Sequence, residues 1–300
     1  MNKNVHAESS SLLLVFLVFL LIVAPTVGIC ADKNIKAQDI KIYTPTYQPV
    51  FEEFDPPLGT YTYKVAWQGI PAATVTVVVD KNGDRYNIVT KAKTYSGIDL
   101  FYRLRYTAEG TISALDLTPI ETVIDHRENS RHKVTKISFE KDGGIKAVRY
   151  RKGTDDSKEE LEFNPNNFTL DPISAAFLAR GVDWKVGESK KFDTFNGKSR
   201  YLITLTASEK VIMKINGEER EAWQIVPKVE NLTSPHSNKK LRSANIYLST
   251  DRSREILQIV SSVFIGSVST TLTAFEPSLK ATPSDMKVVS AKRSRRADNS

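Results

Sequence analysis

From Thr60 onward the chain alternates. In YTYKVAWQ (61–68), Tyr61, Tyr63, Val65 and Trp67 fall on one face and Thr62, Lys64 and Gln68 on the other. That period of two marks a half-buried strand. ATVTVVVD (73–80) repeats it with Val75, Val77 and Val79. Between such runs stand KNGD (81–84), KDGG (141–144), FNGK (195–198) and INGE (215–218). Each places Asn-Gly or Asp-Gly where a tight hairpin needs positive φ. The pattern predicts further strands near 85–94, 101–109, 119–125, 131–140, 145–152 and 159–163, then near 200–208, 209–215, 220–229, 242–249, 255–262 and 267–275. No helices alternate with these strands, which excludes a parallel α/β fold and leaves an antiparallel meander.

One segment breaks the rule. DPISAAFLARG (171–181) predicts a short helix: Asp171 caps the free N–H groups, Pro172 suits the first helical position, Arg180 favours the C-terminal end of the dipole and Gly181 can form a left-handed stop. Ile173, Ala176 and Phe177 lie at i, i+3 and i+4, so one face seeks burial. In an otherwise all-β chain the partner for that face is the concave side of the sheet. Periodicity alone leaves a half-barrel and a sandwich both open.

The two ends read differently. Leu12 to Val23 is an apolar run of twelve residues, short for a bilayer span of about 20 and shaped like a signal-peptide core. Cleavage is expected after Ala31, with an uncleaved anchor as the alternative. Lipidation of Cys30 is opposed by Ile29, which stands where a small residue is needed. Cleavage after Ala31 removes the one cysteine, and with it any thiol nucleophile or cysteine metal site. Residues 32–59 hold four prolines and no sustained period, and read as a linker or arm. The domain organisation expected is therefore 1–31 signal peptide, 32–59 arm, 60–277 antiparallel β domain and 278–300 basic disordered tail.

Composition adds little beyond this. With 40% hydrophobic and 26% charged residues the chain can build a sizeable core. Of the net +7, the last twenty residues supply +3, from five Lys or Arg against two Asp. The rest is spread thinly, so no nucleic-acid partner is expected.

The chemistry-bearing residues are sparse. No nucleophile elbow, phosphate loop, dinucleotide fingerprint or His-Glu-x-x-His string occurs. After the leader the histidines are His126 and His132, flanking RENSR, which reads as a hairpin loop, and His236 in a second loop. A metal pair from His126 and His132 lacks a supporting carboxylate pattern. No catalytic, cofactor-binding or metal-ligating residue is singled out, and no cofactor is implied. The aromatics are more suggestive. Tyr63, Trp67, Phe101, Trp184 and Trp223, with Ile173 and Phe177 of the helix, are candidates to wall one apolar cavity, or else to fill a core.

DPISAAFLARG, the WKVGE at 184–188 and ANIYLSTDRSREILQIVSSVFIGSVSTTLTAFEP at 244–277 resemble the exported bacterial proteins grouped as domain of unknown function family 3108. The resemblance spans roughly 60–277 by the order and type of its segments. It implies a large curved antiparallel sheet, a half-barrel or open barrel like that of the periplasmic lipoprotein carriers, with one short helix against its concave face. It also implies a Gram-negative periplasm or outer envelope, and supplies no catalytic residues. The expectation that follows is a monomeric, non-enzymatic envelope protein binding a lipid-like ligand. A structural module engaging an envelope protein through sheet edges or the basic tail is the alternative, and a hydrolase is a remote third.

Overall fold

A computed structural model describes residues 36–42, 56–152, 157–234, 243–262 and 266–278. The apolar N-terminal run, Cys30, His236 and the basic tail lie outside these residues.

Fifteen strands form one sheet. The first eight are β1 (Gly59–Trp67), β2 (Ile70–Asn82), β3 (Arg85–Thr94), β4 (Leu104–Ser113), β5 (Pro119–Glu128), β6 (Arg131–Phe139), β7 (Ile145–Lys152) and β8 (Ser157–Phe163). They are followed by β9 (Thr169–Leu170), β10 (Ser189–Phe195), β11 (Arg200–Ile215), β12 (Glu218–Asn231), β13 (Ser243–Ser249), β14 (Ile256–Ser262) and β15 (Ser267–Pro277). Helix α1 (Ser96–Asp99) sits between β3 and β4, and α2 (Pro172–Gly181) between β9 and β10. The strand order is β8-β7-β6-β5-β4-β3-β2-β1-β15-β14-β13-β12-β11-β10-β9. The sheet is thus a meander in which the first and last strands pair, and its free ends, β8 and β9, are neighbours in sequence. All pairings are antiparallel except β9 with β10. The four Asn-Gly and Asp-Gly turns join β2–β3, β6–β7, β10–β11 and β11–β12 as the pattern predicts.

Register irregularities bend this sheet. They fall at Thr62/Tyr63, Val65/Ala66, Thr111/Ile112, Ala207/Glu209 and Tyr247/Leu248. Each extra residue raises local twist and curvature, so a single sheet curls instead of splitting into two stacked layers. The stretches expected as two strands, 200–208 and 209–215, are one strand, β11, carrying a bulge. No turn residue interrupts it there, so the backbone continues to pair with β12 on both sides of the irregularity. Pairing of β12 with β13 stops at Ile225 opposite Ile246. Pro227 follows, and its missing N–H cannot extend that ladder, although it still sits opposite Leu205 of β11.

The ends of the curled sheet overlap like a scroll. The second half of β10, from Phe192 to Phe195, is buried on both faces: Phe192 belongs to the main core, whereas Phe195 packs with Ile137, Ile145, Ala147 and Phe163 of β6–β8. The rings of Phe163 and Phe195 meet edge-on at 5.1 Å. Burial on both sides removes the alternation, which is why the pattern of hydrophobic positions does not reveal β10. At the turn after β10, Gly197 has φ +87°, and a Cβ there would lie 2.4 Å from Thr135 Cγ2. Only glycine permits both that backbone and that approach.

A buried ion pair and the N-terminal segment complete the seam. Arg200 and Asp193 have no exposed side-chain surface. Asp193 also accepts from the Thr169 hydroxyl, and Arg200 Nη1 donates to the Ile40 carbonyl at 2.7 Å. Asn167 Nδ2 reaches the Ile42 carbonyl, and Ala37, in a 3-10 turn over Ala37–Asp39, is buried in the same apolar cluster. Residues 36–42, inside the expected arm, therefore pack against the two sheet ends.

Helix α2 lies inside the curl, against β4, β9 and β10. The Asp171 carboxylate accepts from the Ile173 and Ser174 amides at 2.8 and 3.2 Å and from the Ser174 hydroxyl. The stop differs from expectation: Gly181 stays helical and the chain leaves the helix at Val182, fully buried in extended conformation. The helix therefore ends without a left-handed residue, the Val182 amide donating to the Leu178 carbonyl. Ala176 is only half-buried, while Leu178, Ala179 and Arg180 join Ile173 and Phe177 in burial. A helix enclosed by a sheet is buried almost all round instead of along one stripe.

Candidate ligand site on the concave face

The strand register writes the interior wall as rows. Residues directly opposite one another share a face, so Val75, Ala92, Tyr106, His126, Lys133 and Arg151 form one row across β2 to β7. The next row reads Val77, Thr90, Ala108, Ile124, Thr135, Arg149 and Glu159. A third reads Val79, Ile88, Gly110, Thr122, Ile137, Ala147 and Leu161. Helix α2 lies over this third row. A Cβ on Gly110 would sit 3.1 Å from Ile173 Cδ1, and the Phe177 and Tyr86 rings are 5.1 Å apart. At the other end of the helix Arg180 donates to Tyr61 and to the Ser253 and Arg254 carbonyls, with its guanidinium 5.2 Å from the Tyr61 ring centre.

The second row carries the observation that matters most for ligand binding. Val77 and Thr90 face inward and stay half-buried, although Tyr61 and Ala108, their neighbours on the same face, are buried. Ile203 on β11, also packed against the main core, is likewise half-buried. Inward-facing side chains with residual accessible surface border space that the protein does not fill.

Toward β6–β8 the same wall turns polar and then cationic. Tyr106 and His126 are buried with their rings 5.9 Å apart, and neither Tyr106 Oη nor His126 Nδ1 has a hydrogen-bond partner among the described residues. Burial, and secondarily Asp171, push the Tyr106 phenol above its usual range. Burial and the adjacent Lys133 depress the His126 imidazole to about 4, against a smaller opposing effect of Asp125, so it is neutral. Lys133 is itself lowered by burial and then by Arg149 and Arg151, and Lys198 by burial and then by Arg149. Arg149 is paired with Glu159, whereas Lys133 makes no ion pair among the described residues.

The residues anticipated as cavity walls distribute unevenly. Tyr63, Ile173, Phe177, Trp184 and Trp223 belong to one buried apolar cluster, with Trp67 packed against it. Trp184 is tied down, its indole donating to the Ala179 carbonyl at 2.9 Å. Trp223 lies under the Arg254 guanidinium at 4.5 Å. Phe101 is a correction, being 85% exposed. Helix α1 and the turn after it direct Ile98 and Tyr102 inward, leaving Leu100 and Phe101 outside. His126 and His132 are strand residues, not loop residues. His126 stands opposite Lys133 on the concave face, and His132 stands opposite Arg127 on the convex face, 3.1 Å from Asp125. The two therefore cannot share a metal. Sequence reading missed the Tyr106, His126, Lys133 and Arg151 row. Its signal was present as polar residues at inward strand positions, but the register that aligns them is not readable from one strand at a time.

No curated protein matches the chain. Among solved structures it is similar to a β-barrel-like protein of domain of unknown function DUF1849 from Brucella abortus, with TM-score 0.49 and 8% identity over 75% of this chain and 99% of that one. It is also similar to a candidate lipoprotein from Parabacteroides distasonis, with TM-score 0.31 and 9% identity over 76% of this chain and 100% of that one. A family profile covers most of the curled sheet, including α2 and the cationic wall. The chain belongs to the family described as Protein of unknown function (DUF3108), whose profile matches residues 62–273.

Proposed function

We propose that this is an exported, non-enzymatic envelope protein that holds an apolar or amphipathic ligand inside its curled sheet. The observation that carries the reading is the half-buried, inward-facing set Val77, Thr90 and Ile203. A fully packed core buries such positions completely, and apolar concave surface of this kind is where ligands of low polarity bind. The parting of β12 from β13 beyond Ile225 adds a gap in the wall ladder beside this interior. Export rests on the N-terminal apolar run.

The test is to purify the full chain from a bacterial envelope and extract it into organic solvent, alongside a Val77→Trp variant. Lipid recovered from the native protein and lost from a variant that still folds supports the reading. Ligand-free native protein, with the added indole costing about 1–3 kcal/mol of stability as overpacking does, overturns it.

A second reading, a module that docks on an envelope partner, draws support from Leu100 and Phe101, 82% and 85% exposed on adjacent positions. Sheet edges support it less, because residues 36–42 pack against β8. It requires a partner that ligand-free protein retains and that a Leu100→Ser/Phe101→Ser variant releases.

A further inference from the structure

Like charges placed directly opposite one another on neighbouring strands repel, and a folded sheet ordinarily avoids them. Here the register puts Lys133 opposite Arg151, with Arg149 in the adjoining row of the same face. Lys198, from the turn between β10 and β11, adds its charge to Arg149 and Arg151. The carboxylates that act on this group are Glu159, paired with Arg149, and Glu128, buried beyond His126. Arg131, opposite Glu128, also acts on Lys133, so five cations face two carboxylates; Lys133 and Arg149 are half-buried, whereas Arg151 and Lys198 are exposed. Next along the row stands His126, whose buried Nδ1 is unpartnered, and beyond it Tyr106, whose unpartnered hydroxyl feels the Asp171 carboxylate. The cationic row is left short of a group that accepts hydrogen bonds and brings negative charge.

We propose that Lys133, Arg149, Arg151 and Lys198 bind the anionic headgroup of an amphiphile whose apolar part lies along the half-buried concave row of Val77 and Thr90. The inference rests on the proposed ligand-binding reading and makes it specific: the cargo carries a phosphate or carboxylate. One register row joins the two regions, from half-buried Val77 and Thr90 through Ala108 and Ile124, which the protein itself covers, to Arg149. Charge at one end and apolar wall at the other match a molecule built the same way. The cost of assembling cations without a partner is borne by the empty protein, as expected of a binding site.

The experiment uses the full chain, stripped of bound lipid, and three probes: dodecyl phosphate, dodecanol and inorganic phosphate, with affinities from isothermal titration. The variants are Lys133→Gln/Arg151→Gln and, as a control on the convex face, Lys91→Gln. Dodecyl phosphate is expected to bind at least about tenfold more tightly than dodecanol. That preference should vanish in the double variant and persist in the control. Relief of repulsion should also raise the melting temperature of the double variant by roughly 2–4 °C, a change that misfolding cannot produce. Equal binding of dodecyl phosphate and dodecanol, unaltered by the double substitution, overturns the headgroup site while leaving the apolar-ligand reading intact. Inorganic phosphate binding as tightly as dodecyl phosphate, with the same dependence on Lys133 and Arg151, supports an anion site but overturns the amphiphile. Binding of none of the probes overturns both.

Discussion

At the scale of single residues, His126 shows how burial sets chemistry. Its imidazole is 5% exposed, stacked edge-on against Tyr106 and next to Lys133. Burial first and the neighbouring ammonium second depress it to about 4. An unfolded histidine titrates near about 6.5, so the unfolded chain takes up a proton before the folded one does. Stability linked to this group is complete above that value and is lost as pH falls toward about 4, roughly 3 kcal/mol in all. Urea unfolding between pH 7 and 5 should therefore show stability declining with acidification, and His126→Gln should flatten that decline. An unchanged slope in the variant would assign the acid sensitivity to other groups. Little of this could be read in advance. The stretch HRENSRH looks like a polar loop, and only the two-residue turn at Asn129 and Ser130 places its first histidine inside and its second outside.

At the scale of elements, α2 was legible because its signals are local. A capping Asp, a Pro at the first turn and a basic residue in the last turn act on neighbours in the chain, and the structure keeps each of them. What the helix packs against is not local. Gly110, in the middle of β4, leaves room for Ile173, whose Cδ1 and Cγ2 would lie 3.1 Å from any Cβ added there. The first turn cannot easily retreat, since Asp171 holds it by three hydrogen bonds. Gly110→Val is thus expected to destabilise by about 1–3 kcal/mol through overpacking, read as a lowered urea midpoint at unchanged denaturant slope. The companion change Ile173→Ala should recover part of that loss when combined with it, because the two side chains compete for one space. Independent, additive effects would show that the helix does not seat on β4 in this way. Strand β10 was illegible for the opposite reason: covered on both faces over its second half, it offers no alternation to detect.

At the scale of the whole molecule, closure depends on the seam. Fifteen strands curl, but β8 and β9 share no ladder, and their ends are joined through side chains and residues 36–42. Arg200 and Asp193 sit at the centre of this junction with no solvent contact. Removing one member of a buried pair strands the other, a loss of about 3–5 kcal/mol, whereas replacing both by apolar residues is far milder. Arg200→Met should accordingly destabilise strongly, and Asp193→Leu/Arg200→Met should regain most of the loss in urea unfolding. A double variant as unstable as the sum of the single ones would mean that the two residues act separately.

Most of the strands, the hairpin turns and the helix at its place in the chain were set by the sequence acting over short distances, through period-two alternation, Asn-Gly and Asp-Gly pairs and helix caps, whereas the pairing of β1 with β15 and strands β9 and β10 were not. The family resemblance rested on the same segments and implied the curvature. Which half of each strand faces the interior, where bulges bend the sheet, how β10 slips beneath β6–β8 and which polar residues line up as a cationic row were decided by tertiary structure. The physical reason is that register and overlap arise between segments far apart in the chain. A side chain's own neighbours in sequence state that it alternates, but only the strand beside it states what it faces.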